Sequence, residues 1–181
     1  SYTLKSLGIT GYTLNETFSP LTAEYSVNIP YLTTSVHINA EANSTVASVS
    51  GKGAKTLTEE STRFKITVTA RDKTEKDYYL TVNRVKDVDA TLSALSVTGY
   101  TLSPSFNKDT LSYTVIVPYT TESVVVDATS TSNVATLQGK GSVTLTNVDT
   151  NHNVVVTSQS GIKKTYTIKI SRVKSTVATL K

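Results

Sequence analysis

The 181-residue chain has no cysteine, methionine or tryptophan, and holds only eight glycines, four prolines and two histidines. Without cysteine there is no disulfide, no thiolate nucleophile and no Cys-based zinc site. The compartment stays open on that count, since a secreted chain can do without disulfides. Sparse glycine and proline exclude a collagen and a flexible linker. Apolar runs are short, Val124-Val125-Val126 being typical, and a membrane-spanning helix needs about 20 apolar residues, so direct membrane insertion is not expected. No basic segment followed by an apolar one opens the chain, and Ser1 reads as a cut point within something longer. The net charge of +4 is spread thinly. Its cations alternate with acids, as in Arg71-Asp72-Lys73 and Glu75-Lys76-Asp77, whereas nucleic-acid binders gather Lys and Arg on one face. A nucleic-acid partner is therefore not expected.

What is abundant is β-branched: 33 Thr and 22 Val, residues that suit pleated strands better than helices. The second feature is internal repetition. Gly11-Tyr12-Thr13-Leu14 recurs as Gly99-Tyr100-Thr101-Leu102, an offset of 99 − 11 = 88. The same offset, with no gap, carries Leu4, Leu7 and Ile9 onto Leu92, Leu95 and Val97, and Pro30-Tyr31 onto Pro118-Tyr119. It carries Gly51-Lys52-Gly53 onto Gly139-Lys140-Gly141, and Arg84-Val85 onto Arg172-Val173. The chain is a tandem duplication. Residues 1–86 make one repeat and 87–175 the next. Ala178-Thr179-Leu180 echoes Ala90-Thr91-Leu92, so residues 176–181 are expected either to open a further repeat or simply to end the chain.

Within each repeat apolar residues alternate: Tyr25, Val27, Ile29; then Val36, Ile38, Ala40; Ile66, Val68, Ala70; and Tyr78, Leu80, Val82. Period two over four to eight residues marks half-buried strands, and no stretch shows a 3.6-residue apolar period. Strands are predicted over 4–10, 23–29, 35–42, 46–50, 55–58, 63–71 and 76–84, and again 88 residues on. The fold class is thus all-β, two tandem seven-stranded immunoglobulin-like sandwiches. Tyr25, Tyr78, Tyr113 and Tyr166 are expected as the large core residues, and the GKG runs as hairpin turns.

The stretch "LSALSVTGYTLSPSFNKDTLSYTVIVP", followed by "KTYTIKISRV", resembles the cadherin-like β-sandwich repeat of bacterial cell-surface and secreted proteins. "LKSLGITGYTLNETFSPLTAEYSVNIP" with "KDYYLTVNRV" does so in the first copy. The resemblance covers nearly the whole chain, twice. It implies a secreted or wall-attached multidomain protein, extracellular at the cell surface or cell wall, and supplies no catalytic residue. Calcium-stiffened joints of true cadherins carry acidic clusters. Here Lys86-Asp87-Val88-Asp89-Ala90 has two carboxylates, and Lys174-Ser175-Thr176-Val177-Ala178 has none. Calcium takes six to eight oxygens, so Asp87 and Asp89 are weak calcium candidates set against solvated linker charge. No metal or other cofactor is expected.

Catalytic constellations are likewise missing. His37 aligns with Val125 and His152 with Phe64, so neither histidine serves both repeats. Glu59-Glu60 aligns with Asn147-Val148, leaving no recurring pair of carboxylates for glycoside hydrolysis. No enzymatic role is expected. The sequons Asn15-Glu16-Thr17 and Asn43-Ser44-Thr45 read as turns.

Tyr31 and Tyr119 follow a proline where the chain should turn, and there a ring could stack on a sugar; Tyr12 and Tyr100 could join them. Equally, all four could plug the ends of small sandwiches, Tyr12 and Tyr100 against Phe18 and Phe106. Three functions remain. One is a structural spacer whose partners are neighbouring domains of the same chain, with only six residues between Val85 and Leu92 and no Gly or Pro among them. The others are an adhesive or carbohydrate-binding module for surface glycans, and a module that recruits a protein partner through an edge strand. A Lys–Asn crosslink within a repeat stays open.

Overall fold

A computed structural model describes residues 2–176. It divides into two compact units, Ser1–Lys86 and Asp87–Lys181. Of residues 176–181, where either a further repeat or simply the end of the chain was expected, 177–181 lie outside the described residues. No described segment is helical.

Repeat one is built from β1 (Leu4–Ile9), β2 (Glu24–Pro30), β3 (Ser35–Ala42), β4 (Ser48–Ser50), β5 (Gly53–Thr56), β6 (Ser61–Thr69) and β7 (Glu75–Val85). The sheets are ordered β1-β3-β5 and β2-β7-β6-β4. Repeat two repeats this with β8 (Leu92–Val97), β9 (Ser112–Pro118), β10 (Ser123–Ser130), β11 (Thr136–Gln138), β12 (Gly141–Thr144), β13 (Asp149–Thr157) and β14 (Lys163–Val173). Its sheets run β8-β10-β12 and β9-β14-β13-β11. Most pairs are antiparallel, but β2 lies parallel to β7, and β9 to β14. That follows from the crossover after β1: the chain leaves one sheet at Ile9, returns along residues 10–23, and starts up the opposite sheet.

The alternating residues fill the space between the sheets. Tyr25, Val27, Ile29, Ile38, Ile66, Val68, Tyr78 and Leu80 are buried in repeat one, and their counterparts Tyr113, Val115, Val117, Val126, Val154, Val156, Tyr166 and Ile168 in repeat two. The four expected core tyrosines are therefore core residues. Each satisfies its hydroxyl on backbone. Tyr25 donates to the Ser19 carbonyl at 2.6 Å and accepts the Ser19 N–H at 3.0 Å. Tyr113 does the same with Asn107, at 2.7 and 3.1 Å. Phe18 stacks on Tyr25, with ring centroids 5.6 Å apart, and Phe106 on Tyr113; these rings back the core tyrosines rather than Tyr12 and Tyr100.

The GKG runs are not hairpin turns. β4 pairs with β6 in one sheet, whereas β5 pairs with β3 in the other. Gly51-Lys52-Gly53 therefore carries the chain between sheets, and both glycines need positive φ to do it, +82° and +97°.

The GYTL run turns the chain at the end of β1. Gly11 takes φ +83°, and the Tyr12 N–H donates back to the Ile9 carbonyl at 3.2 Å. Tyr12 and Leu14 then pack against the core from the edge.

The two crossovers cover the β2 and β9 edges differently. In repeat one the Glu16 carboxylate accepts the Ser26 N–H at 2.6 Å and the Ser26 hydroxyl at 2.8 Å. Both repeats keep one backbone bond there, from the Asn15 N–H to the Ser26 carbonyl and from the Ser103 N–H to the Thr114 carbonyl, each at 2.8 Å. In repeat two, where Pro104 replaces Glu16, the Thr114 N–H donates to the Ser103 carbonyl at 2.7 Å instead of to a carboxylate. The Ser26 N–H, and after it the Ser26 hydroxyl, holds the Glu16 carboxyl below its ordinary value. A carboxyl depressed by folding stabilises above its unfolded pKa, and that contribution fades as pH falls through the folded value. Glu16→Gln should therefore lower the melting temperature of repeat one at pH 7. Thermal unfolding at stepped pH should show that gap closing on acidification toward pH 3; a gap that stays constant would assign the effect to something other than the charge.

Candidate functional site

Each repeat is threaded from one pole to the other. The Leu4 N–H donates to the Tyr78 hydroxyl at 3.0 Å, which places the start of β1 beside the start of β7. From Tyr78, β7 runs on to Val85, roughly 23 Å away at about 3.3 Å per residue. Repeat two has the same arrangement: Leu92 N–H donates to the Tyr166 hydroxyl at 3.1 Å, and β14 leaves at Val173. The chain enters each sandwich at one end and exits at the other.

The exit pole gathers the candidate tyrosines. Tyr31 is half-buried, and Tyr119 is 42% exposed. The Tyr12 hydroxyl lies 3.5 Å from Thr33 Oγ1, and that of Tyr100 3.4 Å from Thr121 Oγ1. Cations attend the two strand-end rings. The Arg84 guanidinium is 5.3 Å and the Lys86 ammonium 4.7 Å from the centroid of Tyr31. For Tyr119 the distances are 5.2 Å to Arg172 and 5.0 Å to Lys174. These are cation–π distances, so the rings are neighbours of positive charge rather than bare aromatic faces.

Arg84 and Arg172 organise this pole, a role the repeat pattern marks only as a shared Arg-Val pair. Arg84 donates from Nε to the Glu59 carbonyl at 2.8 Å and from Nη2 to the Thr58 carbonyl at 2.9 Å, and its Nη1 lies 3.4 Å from the Tyr31 and Thr33 carbonyls. Arg172 does likewise to Asn147 at 2.9 Å and Thr146 at 3.2 Å. The planar fork ties two loops together by several carbonyls at once, which a lysine could not do. Glu60 pairs with Lys86 at 3.1 Å and raises its pKa.

At the entry pole of repeat two, Asp87 and Asp89 are bound by protein. Asp87 Oδ1 accepts the Asp89 N–H at 2.8 Å and Oδ2 the Ser132 hydroxyl at 2.7 Å. Asp89 Oδ1 accepts both the hydroxyl and the N–H of Thr91, at 2.6 and 2.7 Å. These donors keep both carboxyls below their ordinary values. Backbone bonds add to this: the Asp87 N–H donates to Gln159 Oε1 at 2.9 Å, and its carbonyl accepts the Ser160 N–H at 3.0 Å. Ala90 is buried in the core of repeat two. The joint segment that carries both carboxylates is thus stitched to repeat two.

The remaining candidates are not brought together. His37 is exposed on β3, and His152 Nε2 lies 2.7 Å from the Gly139 carbonyl. Among the described residues no three His, Asp or Glu side chains converge on one point. The buried polar residues there are Ser132 and Ser158, with no lysine, so the buried Lys, Asn and acid of an internal crosslink are not assembled. No described helix is long and apolar enough to cross a membrane. One end strand of each sheet in repeat one is short, three residues in β4 and four in β5, which limits strand addition there, while the opposite ends are β1 with six residues and β2 with seven.

No curated protein matches the chain. Among solved structures, the protocadherin gammaB4 extracellular domain aligns over 90% of this chain and 32% of its own, at 11% identity and TM-score 0.33. Cadherin domains 3–6 of protocadherin gamma B2 align over 91% and 52%, at 13% identity and TM-score 0.32. The fibronectin(III)-like modules of Clostridium thermocellum CbhA align over 94% and 98%, at 10% identity and TM-score 0.24. The chain therefore spans about a third to a half of the protocadherin structures. The family model described as the cadherin-like beta sandwich domain matches residues 4–85 and again 92–173, a division that repeats the 88-residue offset of the sequence. The chain belongs to the cadherin-like β-sandwich domain family and carries two of its domains in tandem.

Proposed function

We propose that the pair is a non-catalytic structural spacer, a stalk segment of an extracellular, surface or wall-attached multidomain bacterial protein. The observation that carries this reading is the pole-to-pole course of the chain through each repeat, from Leu4 beside Tyr78 to Val85, and from Leu92 beside Tyr166 to Val173. A module entered at one end and left at the other adds its length when it is repeated, as solenoid repeats do. The stitched joint supports it too, because Asp87 and Asp89 spend their hydrogen bonds on repeat two instead of leaving a free tether. Family membership supports a structural or adhesive module outside the cell and offers no catalytic residue.

The test is the distance distribution between a spin label on β6 and one on β13. It should be narrow in the parent. Two glycines inserted after Val85 should broaden it, and so should Asp87→Ala combined with Asp89→Ala. A distribution already broad in the parent would remove the spacer reading.

One observation favours a second reading as a carbohydrate-binding module: each exit pole sets a tyrosine, Tyr31 or Tyr119, beside two cations, with Tyr12 or Tyr100 nearby. That set would suit a sugar bearing a carboxylate or sulfate. The spacer reading expects no signal on an array of acidic glycans. Binding by the parent that is lost in Tyr31→Ala/Tyr119→Ala would replace the spacer with the carbohydrate module.

A further inference from the structure

The two entry poles share a backbone but differ in what covers them. In repeat two Asp87 seats among Ser132, Gln159 and Ser160. At the offset of 88 these are Ser44, Arg71 and Asp72 of repeat one. There, Ser44, Val46, Ala70, Arg71 and Asp72 line an open cleft of about 300 Å³. The frames agree closely. Asn43 N–H donates to the Thr3 carbonyl at 2.9 Å as Thr131 N–H does to Thr91, and Ala47 N–H to Ser44 as Ala135 N–H does to Ser132. Lys73 takes the positive φ of its counterpart Gly161.

Coverage is where they part. Ser132 and Ser158 are buried at 7% and 4%, whereas Ser44 and Ala70 are only half-buried. Val134 is half-buried, but Val46 is 66% exposed. Gln159 is half-covered, but Arg71 is exposed with no partner among the described residues. The Asp72 carboxylate accepts the Thr74 N–H at 3.1 Å, which ties it to its own turn.

We propose that this cleft is a seat for an extended, aspartate-bearing joint peptide that enters repeat one from the N-terminal side of Leu4, as Asp87–Thr91 enters repeat two. The Ser44 hydroxyl donates to the incoming carboxylate, as Ser132 does to Asp87. The Asp72 N–H donates to the carbonyl of the same residue, as Ser160 does. Arg71 cannot accept the N–H that Gln159 takes, and supplies a cation to the carboxylate in its place. Repeat one thus trades a neutral contact for an ion pair at the same seat. The proposal stands apart from the spacer reading, because a seat can be filled whether or not the pair holds anything at a distance.

The test grafts the joint onto the full chain: Lys-Asp-Val-Asp-Ala replaces Ser1-Tyr2 ahead of Thr3. Tyr2 stands where repeat two has the buried Ala90, and is 45% exposed, so the graft restores the sequence that fills the seat in repeat two. Amide hydrogen exchange is followed at Asp72, with Ser160 as the internal reference. The graft should slow exchange at Asp72 tenfold or more, independently of protein concentration. Arg71→Glu or Ser44→Ala in the grafted chain, or alanine at the first aspartate of the graft, should each reverse most of that protection. Unchanged exchange at Asp72 would overturn the proposal. So would protection that rises with protein concentration, which would mean docking between copies, or protection that survives loss of the aspartate.

Discussion

Tyr78→Ala is expected to remove half or more of the stability of repeat one while repeat two keeps its own transition. Tyr78 is fully buried. Its hydroxyl donates to the Pro20 carbonyl at 2.7 Å and accepts the Leu4 N–H at 3.0 Å. One side chain therefore fills the core and clamps β1 and the crossover to β7. Removing a large buried ring costs about 3–5 kcal/mol through lost burial and the cavity left behind. Orphaning the Leu4 N–H and the Pro20 carbonyl adds about 1–3 kcal/mol. A sandwich of this size has only about 4–13 kcal/mol in total, at roughly 0.05–0.15 kcal/mol per residue.

Tyr78→Phe separates the two contributions, since the ring stays and only the clamp is lost. It should cost about 1–3 kcal/mol, a fall in Tm on the order of 4–24 °C for a domain this small. Calorimetry on the full chain reads both repeats at once, so Tyr166→Phe should move the other transition by a similar amount. Equal Tm values for Tyr78→Phe and the parent would show that the hydroxyl holds nothing. Because the clamp fixes where the chain enters the sandwich, it also fixes the pole-to-pole course on which the spacer reading rests.

Much of this was legible in the sequence because the chain carries its own comparison. Positions shared at an offset of 88 are those the sandwich needs, and period-two alternation sorts them into strands whose observed ends fall within a few residues of those predicted. Tyr25 and Tyr78 stood out as the large residues of those alternating runs, and both are core.

Sheet membership was not legible. Alternation tells which way a side chain points, and says nothing of which sheet the strand joins, so Gly51-Lys52-Gly53 reads as a hairpin although it changes sheets. Nor does spacing reveal that Arg84 reaches carbonyls 25 and 26 positions back, at Glu59 and Thr58. The recurrence of that Arg at 172 was the available signal. The hydrogen bonds of Asp87 and Asp89 stayed hidden for a related reason. A carboxylate in a short joint looks solvated until its donors are known, and those donors, Ser132 and Thr91, are ordinary serine and threonine in a chain full of both.

The sheet change at GKG gives the second large effect. Gly51→Ala should destabilise repeat one far more than Gly53→Ala, although both glycines have positive φ, +82° and +97°. A Cβ on Gly51 would be driven into the backbone carbonyl oxygen of Lys65 on β6, whereas one on Gly53 would meet nothing. Backbone cannot step aside as the tip of a flexible side chain can, and Lys65 is held in the β6–β7 ladder opposite Tyr79. Gly53→Ala therefore pays only left-handed strain, about 1–2 kcal/mol. Gly51→Ala adds forced overpacking of about 1–3 kcal/mol, for a total of about 2–5 kcal/mol. The duplication supplies its own replicate, since Gly139 approaches the Asn153 carbonyl in the same way and Gly141 stands open. Urea unfolding of the four single variants should therefore sort them by position in the turn, with Gly51→Ala and Gly139→Ala together and well below Gly53→Ala and Gly141→Ala. Equal losses at all four would mean that conformational strain alone explains the glycines, and that the close passage of this crossover against β6 and β13 contributes nothing to the fold.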